Sequence, residues 1–310
     1  FTRVLKLDPT YSLVWANLGQ VFSVTGQLDK AKKSFKNILN MEPNNALIWA
    51  EYGTVLTKLA KYKEGRDAYL KALEFKPDSP RVHLSLGHVF KTMGEIDNSI
   101  DAYRKTIIKN NLSGEAYWSL ANLKTYSFSE NEIKDMEKTL EGDMSDIERS
   151  QMYFALGKAY EVKKDFDNSF KNYYKGNKVK KSLIKYSSDD TTQNTKRILK
   201  FFNQENIVSL SKSSTSDKDP IFVLGMPRSG STLIDQIISS HSKVDGTQEL
   251  PNIIKIAAEL NTSKQDSYPE VLKKLDDFQL SKLGKDYISE TKWARDVAPY
   301  FIDKMPNNFI

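Results

Sequence analysis

Large and small residues alternate along the first half of the chain with a fixed period. The large residues Trp15, Trp49, His83 and Tyr117 are spaced 34 positions apart. The fourth residue after each of them is small: Gly19, Gly53, Gly87 and Ala121. A second small residue and then an aromatic residue follow in each of three units: Ala31 and Phe35, Gly65 and Tyr69, Ser99 and Tyr103. This period predicts repeated pairs of helices that approach closely at the small residues.

A period of 34 residues with these positions is the tetratricopeptide pattern. Pro43 and Pro77 end the second helix of two units. The fourth unit departs from the pattern after Tyr117, and the pattern returns in YFALGKAYEVKKDFDNSFKNYYKGN. We therefore predict an α-solenoid over residues 1–185, with a concave groove for a protein or an extended peptide. The segment FTRVLKLDP has the register of a preceding repeat's second helix, so the chain is expected to start inside a repeat.

The pattern changes at Ile221, beyond a predicted helix and polar linker over residues 186–218 in which Ser188 to Asp190 can cap the helix. The runs IFVLG, KVDGT and PYFIDKMP predict three short strands. LIDQIISSH has apolar residues at helical spacing, and PNIIKIAAEL predicts a helix that starts at its proline. Alternating strands and helices predict the N-terminal part of a P-loop-like α/β domain with a parallel sheet over residues 219–310.

The stretch GMPRSGST follows the first of these strands and precedes a helix. Gly225 and Gly230 have the spacing of the nucleotide-binding pattern GxxxxGK[ST], but Ser231 stands where that pattern has lysine. A glycine-bounded turn at a helix N-terminus presents amide N–H groups and a favourable dipole to an anion. Because Arg228 is the one fixed cation in the loop, we expect a short mixed anhydride rather than a nucleoside triphosphate.

Composition narrows the function classes. The chain has 310 residues, 46 Lys and Arg against 40 Asp and Glu, and no cysteine. It also lacks an apolar run of membrane-spanning length. These features predict a soluble cytoplasmic protein without a metal site, a nucleic-acid partner or a membrane span. Basic residues concentrate in residues 163–200, which is either a solvated helix face or a surface that attracts acidic peptides.

The loop GMPRSGST resembles the 5′-phosphosulfate loop of sulfotransferases. Together with the repeats, it resembles the tetratricopeptide-repeat sulfotransferases, whose catalytic domain is similar to that of tyrosylprotein sulfotransferases. The stretches AYWSLANLKTYSFSENEI, SSHSKVDGTQEL and FIDKMPNNF support the resemblance. It implies 3′-phosphoadenosine 5′-phosphosulfate as co-substrate, without a metal, and transfer of a sulfuryl group to a hydroxyl. Protein tyrosine is one candidate acceptor, beside a saccharide or a small molecule.

The resemblance also implies roles by position. The residues implied in binding the co-substrate are Arg228, Ser229, Gly230, Ser231 and Thr232. The implied catalytic residues are Glu249 as general base and Lys304 and Arg228 as stabilising cations. The family's 3′-phosphate residues lie beyond FIDKMPNNF, so residues 1–310 alone are expected to lack that half of the site and to be inactive.

A second hypothesis remains open. It is a repeat-based interaction scaffold that carries an anion-binding or nucleotide-binding P-loop domain of the kinase or NTPase kind, without sulfuryl transfer. A lysine at position 231 and an acidic strand end downstream would favour it, and the sequence shows neither clearly.

Overall fold

The computed structural model describes residues 4, 7–211, 219–261 and 267–308. The chain divides into two compact units, Phe1–Lys185 and Tyr186–Ile310. The predicted helix before Pro9 lies largely outside the described residues. None of the described helices combines the length and the apolar character that crossing a bilayer requires.

The first unit is a tetratricopeptide solenoid. Its helices are α1 (Ser12–Val24), α2 (Leu28–Met41), α3 (Ala46–Lys58), α4 (Tyr62–Phe75), α5 (Pro80–Thr92), α6 (Ile96–Lys109), α7 (Gly114–Ala121), α8 (Glu130–Leu140), α9 (Asp146–Val162) and α10 (Phe166–Leu183). Helices α1 with α2, α3 with α4, α5 with α6 and α9 with α10 pack as pairs. The predicted repeats and solenoid are confirmed.

The large residue of each repeat joins its helix to the end of the preceding helix. Trp15 Nε1 donates a hydrogen bond to the Pro9 carbonyl at 2.8 Å, and Trp49 Nε1 donates to the Pro43 carbonyl at 2.7 Å. His83 Nε2 lies 3.0 Å from the Pro77 carbonyl. The equivalent Tyr117 has Asn111 six positions before it instead of proline. The period therefore reflects a recurring local contact, and among the described residues the Tyr117 side chain makes no such bond.

The small residue of each repeat faces an aromatic ring. A Cβ atom built at Gly19, Gly53 or Gly157 would lie 2.6–2.9 Å from the ring of the second helix in the same repeat, and one at Gly87 would lie 2.4 Å from the Tyr103 ring. The short helix α7 packs instead against α9. Helix α8 begins at a capping box formed by Ser129 and Glu132, and buries Met136.

The second unit is built around a small parallel sheet. Its elements are α11 (Ser188–Phe201), α12 (Gln204–Ser211), β1 (Asp219–Phe222), α13 (Ser231–Ser239), β2 (Val244–Asp245), α14 (Asn252–Glu259), a 3-10 turn (Glu270–Lys274), α15 (Asp277–Glu290), a second 3-10 turn (Lys292–Ala294) and β3 (Tyr300–Asp303). The strand order is β1–β3–β2, and both pairings are parallel. The predicted parallel α/β arrangement is confirmed.

The structure differs from the sequence prediction in the bounds of β1 and in the cap of α11. Strand β1 begins before IFVLG and ends at Phe222, whose side chain is 45% exposed. Directly after the strand, Val223 is buried and Leu224 is exposed. Ser187, one residue earlier than predicted, caps α11 by accepting from the Asp190 amide. Residues 212–218 of the predicted polar linker lie outside the described residues.

The apolar residues that predicted α13 are also largely exposed. Leu233, Ile234 and Ile237 have the predicted helical spacing, but each is between 47% and 62% exposed. Spacing therefore identified the helix correctly without establishing that its apolar face is covered.

Substitution of Gly87 by alanine tests the packing within a repeat. The new methyl group would overlap the buried Tyr103 ring, so we expect a loss of about 1–3 kcal/mol in the free energy of unfolding. Urea denaturation followed by circular dichroism measures this loss. Lys91→Ala on the same helix is the control because its side chain is exposed; equal stability of the two variants would contradict the packing role.

Candidate functional site

Three chain segments meet at the edge of the sheet where the parallel strands end. They are residues 223–230 after β1, residues 246–249 after β2 and residues 304–308 after β3. Ligands of open α/β sheets bind at such carboxyl ends. A cleft of about 500 Å³ opens there, lined by Pro227, Arg228, Gly230, Ser231, Thr232, Glu249, Met305, Pro306 and Asn307. Five of the seven site residues inferred from the sequence therefore line one cleft.

The two remaining site residues occupy different positions. The Lys304 side chain contacts Glu249 beside the cleft. Ser229 is absent from the cleft lining, and its Oγ would lie 2.9 Å from a Cβ atom placed at Gly225. Gly225 thus allows Ser229 to fold back against the loop, and the hydroxyls that line the cleft belong to Ser231 and Thr232.

The loop has a conformation that glycine and one strained residue make possible. Gly230 has φ +89° at the N-cap of α13, and Arg228 has φ +67°, which is uncommon for a residue with a side chain. The Ser229 amide donates to the Met226 carbonyl at 3.2 Å, and the Gly225 amide donates to the Pro306 carbonyl at 3.3 Å. The second bond attaches the start of the loop to the segment after β3.

The loop fits an anion. None of the hydrogen bonds found among the described residues uses the amide N–H of Arg228, Gly230, Ser231 or Thr232. The first amides of a helix lack intrahelical acceptors, and the helix dipole favours negative charge at that end. The Arg228 side chain is exposed and has no ion pair within the described ranges. The loop therefore offers free N–H donors and a guanidinium to phosphate or sulfate oxygens.

Lys304 and Glu249 form an ion pair beside this loop. Lys304 Nζ donates to Glu249 Oε1 at 2.8 Å, although the two residues are 55 positions apart in the chain. The lysine side chain is only 11% exposed, whereas that of Glu249 is 54% exposed. Thr247 Oγ1 donates to the Ile302 carbonyl at 2.6 Å, which joins the segment after β2 to β3. The sequence predicted both charged residues but not their contact.

A buried carboxylate supports the end of β3. Asp303 is fully buried and accepts hydrogen bonds from the Tyr287 hydroxyl at 2.7 Å and from Asn308 Nδ2 at 3.1 Å. Burial raises the pKa of Asp303, while the two hydrogen bonds lower it. Burial and the bond to Asp303 both raise the pKa of Tyr287. The sequence analysis did not predict this network. Its only indication in the sequence was that Asp303 directly precedes the candidate residue Lys304.

In the described ranges, no group of three or more His, Cys, Asp and Glu side chains is arranged to hold a metal ion. His241 is not among the residues that line the cleft.

The matches to protein families fall separately within the two structural units. Residues 220–310 match the model of the sulfotransferase family. Residues 1–33 and 53–94 match models of tetratricopeptide repeats. The chain therefore combines tetratricopeptide repeats with a sulfotransferase-family domain, and the domain contains every candidate residue of the cleft.

Each of the individual relatives matches only part of this chain. An uncharacterized protein of Aquifex aeolicus (strain VF5) is 30% identical over 194 residues, which are 60% of this chain and 26% of the relative. The chain thus spans about a quarter of the length of that relative. Among solved structures, one of MamA is 22% identical, with a TM-score of 0.38, over 60% of this chain and 87% of that one. YrrB, described as a TPR protein with an unusual peptide-binding site, is 17% identical, with a TM-score of 0.44, over 57% of this chain and 91% of that one.

Substitution of Tyr287 by phenylalanine tests the network under β3. The change leaves buried Asp303 with one donor fewer, so we expect a loss of about 1–3 kcal/mol in the free energy of unfolding near neutral pH. Urea denaturation measures it. Tyr300→Phe is the control, because the Tyr300 hydroxyl is exposed and forms no hydrogen bond within the described residues.

The pH dependence of this loss gives a second readout. The pKa of Asp303 is raised in the folded protein, so folding favours the protonated carboxyl, and this contribution is lost as the pH rises through the folded pKa. Tyr287 binds the charged form more strongly. The loss caused by Tyr287→Phe should therefore shrink as the pH falls and Asp303 becomes protonated. A loss that grows at low pH would contradict this assignment.

Proposed function

We propose that this protein transfers a sulfuryl group from 3′-phosphoadenosine 5′-phosphosulfate to a hydroxyl acceptor that its repeats help to recruit. The observation that carries the proposal is the cleft in the sulfotransferase-family domain, where free amides and Arg228 lie beside the Glu249–Lys304 pair. Within the loop, the free N–H groups of Arg228, Gly230, Ser231 and Thr232 would hold the 5′-phosphosulfate, together with the hydroxyls of Ser231 and Thr232.

The charge of the loop favours this co-substrate over a nucleoside triphosphate. Nucleotide-binding loops use a lysine to reach the β- and γ-phosphates, and position 231 is serine here. Arg228 presents a planar group of N–H donors that can bind two oxygens of a phosphosulfate at once. The free amides can bind either a phosphosulfate or a triphosphate. The choice between these two ligands therefore depends on the cation of the loop, which is Arg228.

The residues beside the loop have the properties that the transfer requires. When bound, the co-substrate supplies the sulfuryl group, whose sulfur bonds to the acceptor oxygen as its bond to the phosphate oxygen breaks. Glu249 would take the proton of the acceptor hydroxyl, because its Oε2 accepts no hydrogen bond from the described residues and the side chain is half exposed. Lys304 and Arg228 would stabilise the negative charge that develops in the cleft.

The repeats support a protein acceptor. Tetratricopeptide solenoids present a concave groove to extended peptides. The exposed lysines Lys171, Lys178 and Lys181 of α10 have no ion pair among the described residues, which favours an acidic peptide. A protein tyrosine, as used by tyrosylprotein sulfotransferases, is the acceptor that we propose to test first, and a cytoplasmic location is part of the same proposal.

Nucleotide binding tests the loop. Isothermal titration of the full-length protein should show a preference for 3′-phosphoadenosine 5′-phosphate over ATP. Arg228→Ala removes the charge-assisted bonds of the guanidinium and should weaken binding about 10- to 100-fold, and Arg228→Lys should weaken it less. Lys285→Ala is the control, because Lys285 is an exposed cation on α15 of the same unit. Preference for ATP would instead support the nucleotide-hydrolysing alternative.

Transfer itself tests Glu249. We expect Glu249→Gln to lower kcat about 10²- to 10⁴-fold, because the amide cannot take a proton, while nucleotide affinity changes little. The assay follows labelled sulfuryl groups onto a tyrosine peptide, a saccharide and a small phenol, so it also identifies the class of acceptor. Glu205→Gln on α12 is an exposed control. Unchanged kcat in Glu249→Gln would exclude Glu249 as the base.

A further inference from the structure

The Lys304 ammonium is only partly satisfied. An ammonium has three N–H donors, and the described residues accept from one of them, through Glu249 Oε1. The side chain is only 11% exposed, so water has limited access to the remaining donors. A charge in such a place is stable only with nearby groups of opposite charge.

Asp235 lies within electrostatic range of this ammonium and is also incompletely satisfied. It is on α13, one helical turn after Ser231, and α13 packs against β3, which ends directly before Lys304. The Oδ1 atom of Asp235 is buried and has no hydrogen-bond partner among the described residues. Burial raises the pKa of Asp235, and the positive charge of Lys304 lowers it. The two side chains therefore interact electrostatically without a direct ion pair between them.

In the proposed transfer reaction, the Lys304 ammonium and the Asp235 carboxyl, both incompletely hydrogen-bonded, would act together. Glu249 bonds Lys304 through Oε1 and leaves Oε2 for the acceptor proton, but once it has taken that proton it no longer balances the charge of Lys304. If Glu249 became neutral and no other carboxylate were near, Lys304 would be left as an unpaired, largely buried charge, which is strongly unfavourable. A second carboxylate on the helix that follows the anion-binding loop removes that difficulty.

We propose that Asp235 is a positioning residue that holds Lys304 beside the loop when Glu249 becomes neutral by taking the acceptor proton. Lys304 then has two alternative carboxylate partners, Glu249 in the free protein and Asp235 during transfer. The inference rests on the proposed function for its purpose, but the pairing of Asp235 with Lys304 can be measured without nucleotide or acceptor.

The test is competitive acylation of the lysines in the full-length protein with trace acetic anhydride, quantified by mass spectrometry. Only a neutral amine reacts, and a neighbouring carboxylate favours the charged form. Lys285, which is exposed on α15, provides the internal reference rate. The variants are Asp235→Asn and the matched control Asp286→Asn, an exposed carboxylate without an ion pair in the described part of the chain.

Each variant is made in the unsubstituted protein and in Glu249→Gln, where Lys304 depends on Asp235 alone. We expect Asp235→Asn to accelerate acylation of Lys304 about tenfold in the Glu249→Gln background and less in the unsubstituted protein. Asp286→Asn should change neither rate. Equal Lys304 rates in Asp235→Asn and Asp286→Asn in both backgrounds would overturn the inference.

A second variant covers the case in which Asp235→Asn fails to fold. Asp235→Glu keeps the charge, so Lys304 should stay slowly acylated in both backgrounds, and rapid acylation would overturn the inference. In the transfer assay, Asp235→Asn should lower kcat without weakening nucleotide binding. The expected acylation result combined with no transfer by the unsubstituted protein would support the pairing and overturn the proposed function alone.

Discussion

The parallel pairing of β1 and β2 with β3 is the constraint on which the candidate site depends. Tyr300 at the start of β3 is opposite Asp219 of β1 and also opposite Val244 of β2. All three strands therefore run toward the same edge, where the loop of residues 223–230, Glu249 and Lys304 follow them. A slip of one residue in β3 would turn its side chains to the opposite face, and Lys304 would no longer reach Glu249.

Two further contacts limit how far the segments at this edge can separate. The Gly225 amide bonds to the Pro306 carbonyl, and the Thr247 hydroxyl bonds to the Ile302 carbonyl. The first joins the loop to the segment after β3, and the second joins the segment before Glu249 to β3 itself. The Tyr287–Asp303–Asn308 network holds Asp303 at the end of β3, and Lys304 follows directly after it.

The repeats were predictable from sequence because the contacts that create them are local. Trp49 bonds to a carbonyl six positions earlier, and Gly87 faces a ring sixteen positions later, so one period contains both partners. The Glu249–Lys304 and Tyr287–Asp303 contacts join different elements, and no spacing rule indicates them. Asp235 was indistinguishable from any polar residue on an amphipathic helix. The spacing of Leu233 and Ile237 predicted a helix but could not show which surfaces remain exposed.

Under the proposed function, Lys304 supplies the ammonium that the loop itself lacks. In a nucleotide-binding loop the lysine follows the second glycine, so one short segment supplies both the amides and the cation. Here the amides and Arg228 come from the loop after β1, whereas the largely buried ammonium comes from the end of β3. The position of that ammonium is set by the sheet and by the carboxylates around it, independently of the loop conformation. Under the proposed function, separate residues would therefore bind the anion and stabilise the charge that develops at its reacting end.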